Sequence, residues 1–145
     1  MRSSAAPPPE AILAAARGWI GTPFVAGASV RGVGCDCVGF IAGALADAGL
    51  ELALPDRDPD PGVAGPALLA WARSNLAEAP PSVGLALLVF AERPGGPARH
   101  AGLATGAGTF IHAHWRCGVI ERPLIAWWRA RRVAAFTLTE LPWRP

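Results

Sequence analysis

The chain has no Lys, no Tyr and no Gln, one Met, one Asn, three Cys and three His in 145 residues. Each scarcity excludes something. Every basic residue is an Arg and the formal charge is only +2, so the basic side chains reflect a bias of composition and carry no argument for nucleic-acid binding. Three cysteines cannot all pair, and Cys35 and Cys37 are too close in sequence for an easy disulfide. A reduced interior or a working thiol fits better. Long apolar runs are also missing: the longest, Leu85 to Ala91, is far too short to span a bilayer. The N-terminal stretch has an early Arg2, but Pro7, Pro8 and Pro9 interrupt it and the apolar run after Glu10 ends at Arg17, which makes a poor signal peptide. The expectation is a soluble protein made in the cytoplasm, with no transmembrane segment.

What is present suits one domain over residues 1–145, long enough to bury its own core, with residues 1–9 a flexible N-terminal segment. Glu10 to Ile20 reads as a helix rich in Ala and Leu, stopped by Gly21-Thr22-Pro23. A Gly-rich loop then leads to Gly34-Cys35-Asp36-Cys37-Val38-Gly39-Phe40. From Cys37 to Ala48, apolar residues at 37, 41, 44, 45 and 48 recur at helical spacing, with Asp36 as N-cap and Gly49 as stop. Pro55 to Pro66 packs Pro, Asp and Gly into a loop, and a further helix is expected over Ala67 to Leu76. The pattern then changes to strands: Leu85 to Ala91, Arg99 to Thr105, a turn at Gly106 to Gly108, and Thr109 to His114. A strand near Val119 to Arg122, a short helix around Leu124 to Arg129 and a strand over Val133 to Leu138 follow. Helices first and antiparallel strands second predicts an α+β fold, N-terminal helices packed on an antiparallel sheet.

Cys37 opens a helix, where free backbone N–H groups and the positive end of the helix dipole lower a thiol pKa and can cradle an oxyanion. Cys35 lies just outside and reads, like Cys117, as a plain structural cysteine. A nucleophilic cysteine needs a base, and the base an orienting partner. A hairpin with a three-residue loop at Gly106 to Gly108 sets Gly102 opposite His112 and His100 opposite His114, so all three histidines and Gly102 share one face. His112 and His114 both come within reach of His100 in that register. The one Asn, Asn75, lies in the preceding helix region, so a histidine is the better orienter. Taken singly, a helix-opening Cys is usually a small buried hydrophobe, and a hairpin His is usually packed or solvated. Jointly they point to one chemistry. The C-x-C spacing of Cys35 and Cys37 is a weak match to structural zinc sites. The cluster Trp127, Trp128, Arg129, Arg131 and Arg132 reads as a core helix with a solvated Arg face.

Two blocks carry a resemblance. Ala16 to Phe40, "ARGWIGTPFVAGASVRGVGCDCVGF", resembles the G-T-P-Y…G-x-D-C-x-G-F block of the NlpC/P60 cell-wall peptidases, and Arg99 to Ala113, "RHAGLATGAGTFIHA", resembles their H-[VA]-G…I-H-A block. The resemblance implies a papain-like NlpC/P60 fold with Cys37 as nucleophile, His100 as base and His112 as third residue. It implies peptidoglycan stem peptides as substrate, cleavage of the γ-D-glutamyl–diaminopimelate bond, and no metal or other cofactor. The compact form is most similar to the branch carried in phage tails and gene transfer agents, with tail or hub proteins as partners and action in the periplasm or wall of a target cell. Asp36 and Phe24 are the implied substrate-binding residues. Phe24 stands where the family usually has a Tyr, and Val38 replaces the common Ser after the nucleophile. Alternatives on the same scaffold are an amidase or acyltransferase, or a structural tail-hub component.

Overall fold

The computed structural model describes residues 7–50, 54–55, 58–79 and 84–138. The expected flexible segment 1–9 lies outside the described residues up to residue 6, and Pro9 already belongs to helix α1 (Pro9–Arg17). Proline is well placed there, because the first-turn N–H groups have no helical acceptor. The expected Gly-rich loop contains a minimal hairpin, β1 (Ser29–Val30) with β2 (Gly34–Cys35), turned at Gly32 with φ +78°. Helix α2 (Cys37–Asp47) starts on the Asp36 cap as the spacing predicts. It ends in a Schellman motif, with the Gly49 and Leu50 N–H groups donating to the Ala46 and Leu45 carbonyls and Gly49 at φ +93°. Its first half is buried almost all round, since α1 and Trp19 cover one side and the sheet the other.

Helix α3 (Pro61–Asn75) corrects the expected loop over Pro55 to Pro66: it begins at Pro61, not Ala67. Asp60 caps it by accepting the Gly62 N–H at 2.8 Å, and Pro61 sits where a missing N–H costs nothing. Pro66 does cost a helical hydrogen bond. Close packing offsets that loss, for at Gly65 the helix backbone approaches β4 so nearly that a Cβ would lie 2.3 Å from the Ala98 carbonyl oxygen.

Strands β3 (Leu85–Ala91), β4 (Ala98–Thr105), β5 (Thr109–His114), β6 (Gly118–Pro123) and β7 (Arg132–Thr137) form one antiparallel sheet in the order β6-β5-β4-β3-β7. The interior strand β3 is buried on both faces. Leu85, Leu87, Val89, Leu103 and Ile111 face the α1–α2 core, whereas Ala86, Leu88, Phe90 and Phe110 pack with Trp128 of the short helix α4 (Ala126–Ala130). Arg17 of α1 joins the sheet edge through Glu121 of β6, at 3.0 Å. Among the described residues no helix is long and apolar enough to cross a membrane.

Candidate active site

Asp36 organises the entry to α2. One carboxylate oxygen accepts the Gly39 N–H and the other the Gly27 N–H, both at 2.7 Å, so the cap also ties down the loop that precedes it. Ser29 Oγ donates to the Gly39 carbonyl at 2.6 Å from the β1 side. The Gly21-Thr22-Pro23 turn is fixed to β6, with Gly21 N–H donating to the Val119 carbonyl and Val119 N–H to the Thr22 carbonyl. Gly118 permits that contact, as a Cβ there would lie 2.3 Å from the Thr22 carbonyl oxygen. Cys37 therefore stands at a braced helix N-terminus. The N–H groups of Ala101, Val38 and Cys37 itself act on its sulfur in the sense that favours thiolate.

The β4–β5 hairpin supplies the imidazoles. Leu103 pairs with Ile111 and Ala104 with Phe110, which is the register read from the three-residue loop. His100 Nε2 and His112 Nδ1 lie 2.6 Å apart. His114 is engaged outside the pair: its Nδ1 accepts the Arg116 and Cys117 N–H groups, and its ring stacks on Trp115 at 3.9 Å. Asn75 donates to the Trp71 carbonyl inside α3. The spacing left His112 and His114 open, and the geometry joins His112 to His100. Gly102 makes the pairing possible, since a Cβ there would lie 3.1 Å from His112 Cβ and 3.0 Å from the Ile111 carbonyl oxygen.

Cys37, Asp36, Val38, Phe24 and His100 line one cavity of ≈ 410 Å³, whose remaining wall includes Trp115, Trp127 and Trp128. His100 uses Nε2 on His112, leaving Nδ1 as the nitrogen available to a thiol. Burial holds the Cys37 thiol and the two imidazoles uncharged. It pushes the Cys37 thiol up to about 11, with the Asp36 charge adding to the effect, and it lowers both His100 and His112. The helix terminus alone predicts a lowered thiol pKa, but desolvation and the adjacent carboxylate outweigh it. Such a site can hold a thiol beside an uncharged imidazole and transfer the proton when a carbonyl arrives.

The fold recurs in solved structures. A NlpC/P60 family protein from Bacillus cereus superimposes with TM-score 0.68 at 20% identity, covering 93% of this chain and 42% of that one. The NlpC/P60 domain of the peptidoglycan hydrolase SagA gives 0.60 at 27% identity, covering 90% and 99%. RipD from Mycobacterium tuberculosis, described as a non-catalytic NlpC/P60 domain protein adapted to peptidoglycan binding, gives 0.60 at 16% identity, covering 95% and 99%. The chain has the NlpC/P60 fold. No family model matches the sequence, and no curated protein matches it. The chain spans about two-fifths of the Bacillus cereus protein and of a Staphylococcus aureus NLP/P60 protein.

Within this NlpC/P60 fold, Cys35 is fully buried in the core on β2 and Cys117 is exposed. Among the described residues no three His, Cys, Asp or Glu side chains converge as a metal-ligand set. Trp128 is the residue whose place at the site the sequence reading missed. It is buried against the His100 and His112 rings, with centroids at 6.1 and 5.0 Å. Its signal was a Trp-Trp pair in a five-residue helix, where one ring faces in and the other, Trp127, is 49% exposed with Arg131 stacked 3.6 Å from its centroid.

Proposed function

We propose that this protein is an NlpC/P60 cysteine peptidase that cuts peptidoglycan stem peptides at the γ-D-glutamyl–diaminopimelate bond. The observation that carries the reading is the 2.6 Å contact between His100 and His112 beside a cavity that also holds Cys37 at a helix N-terminus. His100 Nδ1 takes the thiol proton as Cys37 Sγ bonds to the amide carbon and the carbonyl π electrons move onto oxygen. The Cys37 N–H donates to that oxyanion. On collapse the C–N bond breaks, His100 returns its proton to the departing amine, and a thioester remains. Water, deprotonated by His100, then attacks the thioester, releasing the carboxylic acid and restoring the thiol.

The reading includes the setting that the sequence resemblance implies, a phage-like tail or gene transfer agent that carries the enzyme to the wall of a target cell. Mass spectrometry of diaminopimelate-type wall fragments, incubated with the protein, with Cys37→Ala, and with protein plus chelator, tests the activity. New products that survive chelator and vanish in Cys37→Ala support it, and intact fragments from folded wild-type protein overturn it. A second reading, wall binding without catalysis, has its support in the shared fold of the non-catalytic, peptidoglycan-binding RipD domain. In that case Cys37→Ala and wild-type protein sediment equally with purified wall and neither releases product.

A further inference from the structure

The sheet face that carries the histidines holds a cation, and none of the described strand residues on it is acidic. The β5–β6 register sets Phe110 opposite Arg122, His112 opposite Ile120 and His114 opposite Gly118. Arg122 therefore shares the face of Phe110, His112 and His114 and stands one diagonal step from His112. Its guanidinium lies over the Trp128 ring, 5.8 Å from the centroid, and Trp128 in turn packs on His112. Glu121, next along β6, is on the opposite face, where it accepts from Arg17 and Thr109. The ionisable groups acting on His112 are His100 from β4, His114 from β5 and Arg122 from β6; α4 contributes only the Trp128 ring.

The tautomers are linked through the 2.6 Å contact. For His100 to take a proton at Nδ1, its Nε2 must carry hydrogen and donate to His112 Nδ1, so His112 must be neutral with its proton on Nε2. A second proton on His112 would go to Nδ1 and set donor against donor. His112 Nε2 and Arg122 Nε are both buried without a hydrogen-bond partner among the described residues, as two N–H donors on one face would be.

The geometry points to Arg122 as a positioning residue whose cation, added to the burial of the site, opposes a second proton on His112, so that His112 Nδ1 remains the acceptor for His100 Nε2–H. This rests on the Cys37–His100 reading but acts through His112, without contact to the reacting atoms. Burial is the largest cause that lowers all three histidines, and Arg122 repulsion adds to it in each.

The test is a ¹⁵N-histidine NMR titration in the Cys37→Ala background, alone and with Arg122→Met or Arg122→Lys. The parent should show His112 as the neutral Nε2–H tautomer. Arg122→Met, which keeps an unbranched side chain and removes the charge, should raise proton affinity at His112 about tenfold, the order expected for loss of one nearby charge. Arg122→Lys should restore the parent value. In the Cys37-containing proteins, the acid limb of the kcat/KM profile should move to higher pH in Arg122→Met and return in Arg122→Lys. Identical His112 titrations in parent and Arg122→Met, or a parent His112 protonated at Nδ1, would overturn the inference. The expected NMR behaviour with no wall fragment cleaved would support the hold of Arg122 on His112 and overturn the peptidase reading instead.

Discussion

At the scale of the single residue, Cys37 is governed by two opposed effects, and their balance decides its reactivity. Three backbone N–H groups favour thiolate, while burial and Asp36 favour thiol, and the second pair wins with the pKa near 11. Asp36 cannot relax, because both its oxygens are held by backbone donors at 2.7 Å. At neutral pH only about one Cys37 in ten thousand is then thiolate in the free protein. Limited iodoacetamide labelling followed by peptide mapping should find the exposed Cys117 modified first and the buried Cys35 untouched. Cys37 labelling should rise about tenfold per pH unit on the alkaline side, until its pKa is reached. Fast Cys37 labelling at neutral pH would mean instead a standing thiolate–imidazolium pair in the empty site.

At the scale of the element, the β4–β5 hairpin does the positioning, and Gly102 is where it can be tested. A methyl group there meets the Ile111 carbonyl oxygen at 3.0 Å and His112 Cβ at 3.1 Å, so Gly102→Ala should push the strands or the ring apart by a few tenths of an ångström. We expect kcat/KM to fall by about 10²-fold, the scale of a small misplacement in a catalytic constellation, with the far-UV circular dichroism unchanged. Unaltered kinetics would show that the His100–His112 contact is not held by that spacing. Gly102, the loop length and the period-two alternation were all in the sequence, which is why the hairpin register and the shared histidine face were legible there. Helix α3 was not. Its first turns, Pro61 to Pro66, carry the composition of a loop, and what holds them helical is the close approach of Gly65 to Ala98, a tertiary contact that local pattern does not encode. The choice of His112 over His114 also depended on what lies outside the hairpin, since His114 is drawn off by the Arg116 and Cys117 N–H groups.

At the scale of the whole molecule, the same burial makes the fold sensitive to acid. Desolvation lowers His100 from 6.5 to about 4 and lowers His112 as well, so the folded state resists protons that the unfolded chain accepts. The sign follows from linkage. Above the unfolded value of 6.5 both states are neutral and the stability is complete, and as the pH falls from there toward about 4 the unfolded state gains protons first and stability drops. For His100 the shift corresponds to roughly 3 kcal/mol, a large part of the 5–15 kcal/mol typical of a domain. Urea unfolding should therefore show a midpoint that falls steadily through that window. The His112→Asn protein, which keeps an acceptor for His100 but has no second imidazole to charge, should fall less steeply. A midpoint that stayed level down to about 4 would mean that the histidine pair exchanges protons freely with solvent in the folded state. The cover that Trp128, Phe90 and Phe110 place over that face of the sheet would then be open for much of the time, and water would reach His100 without substrate to exclude it.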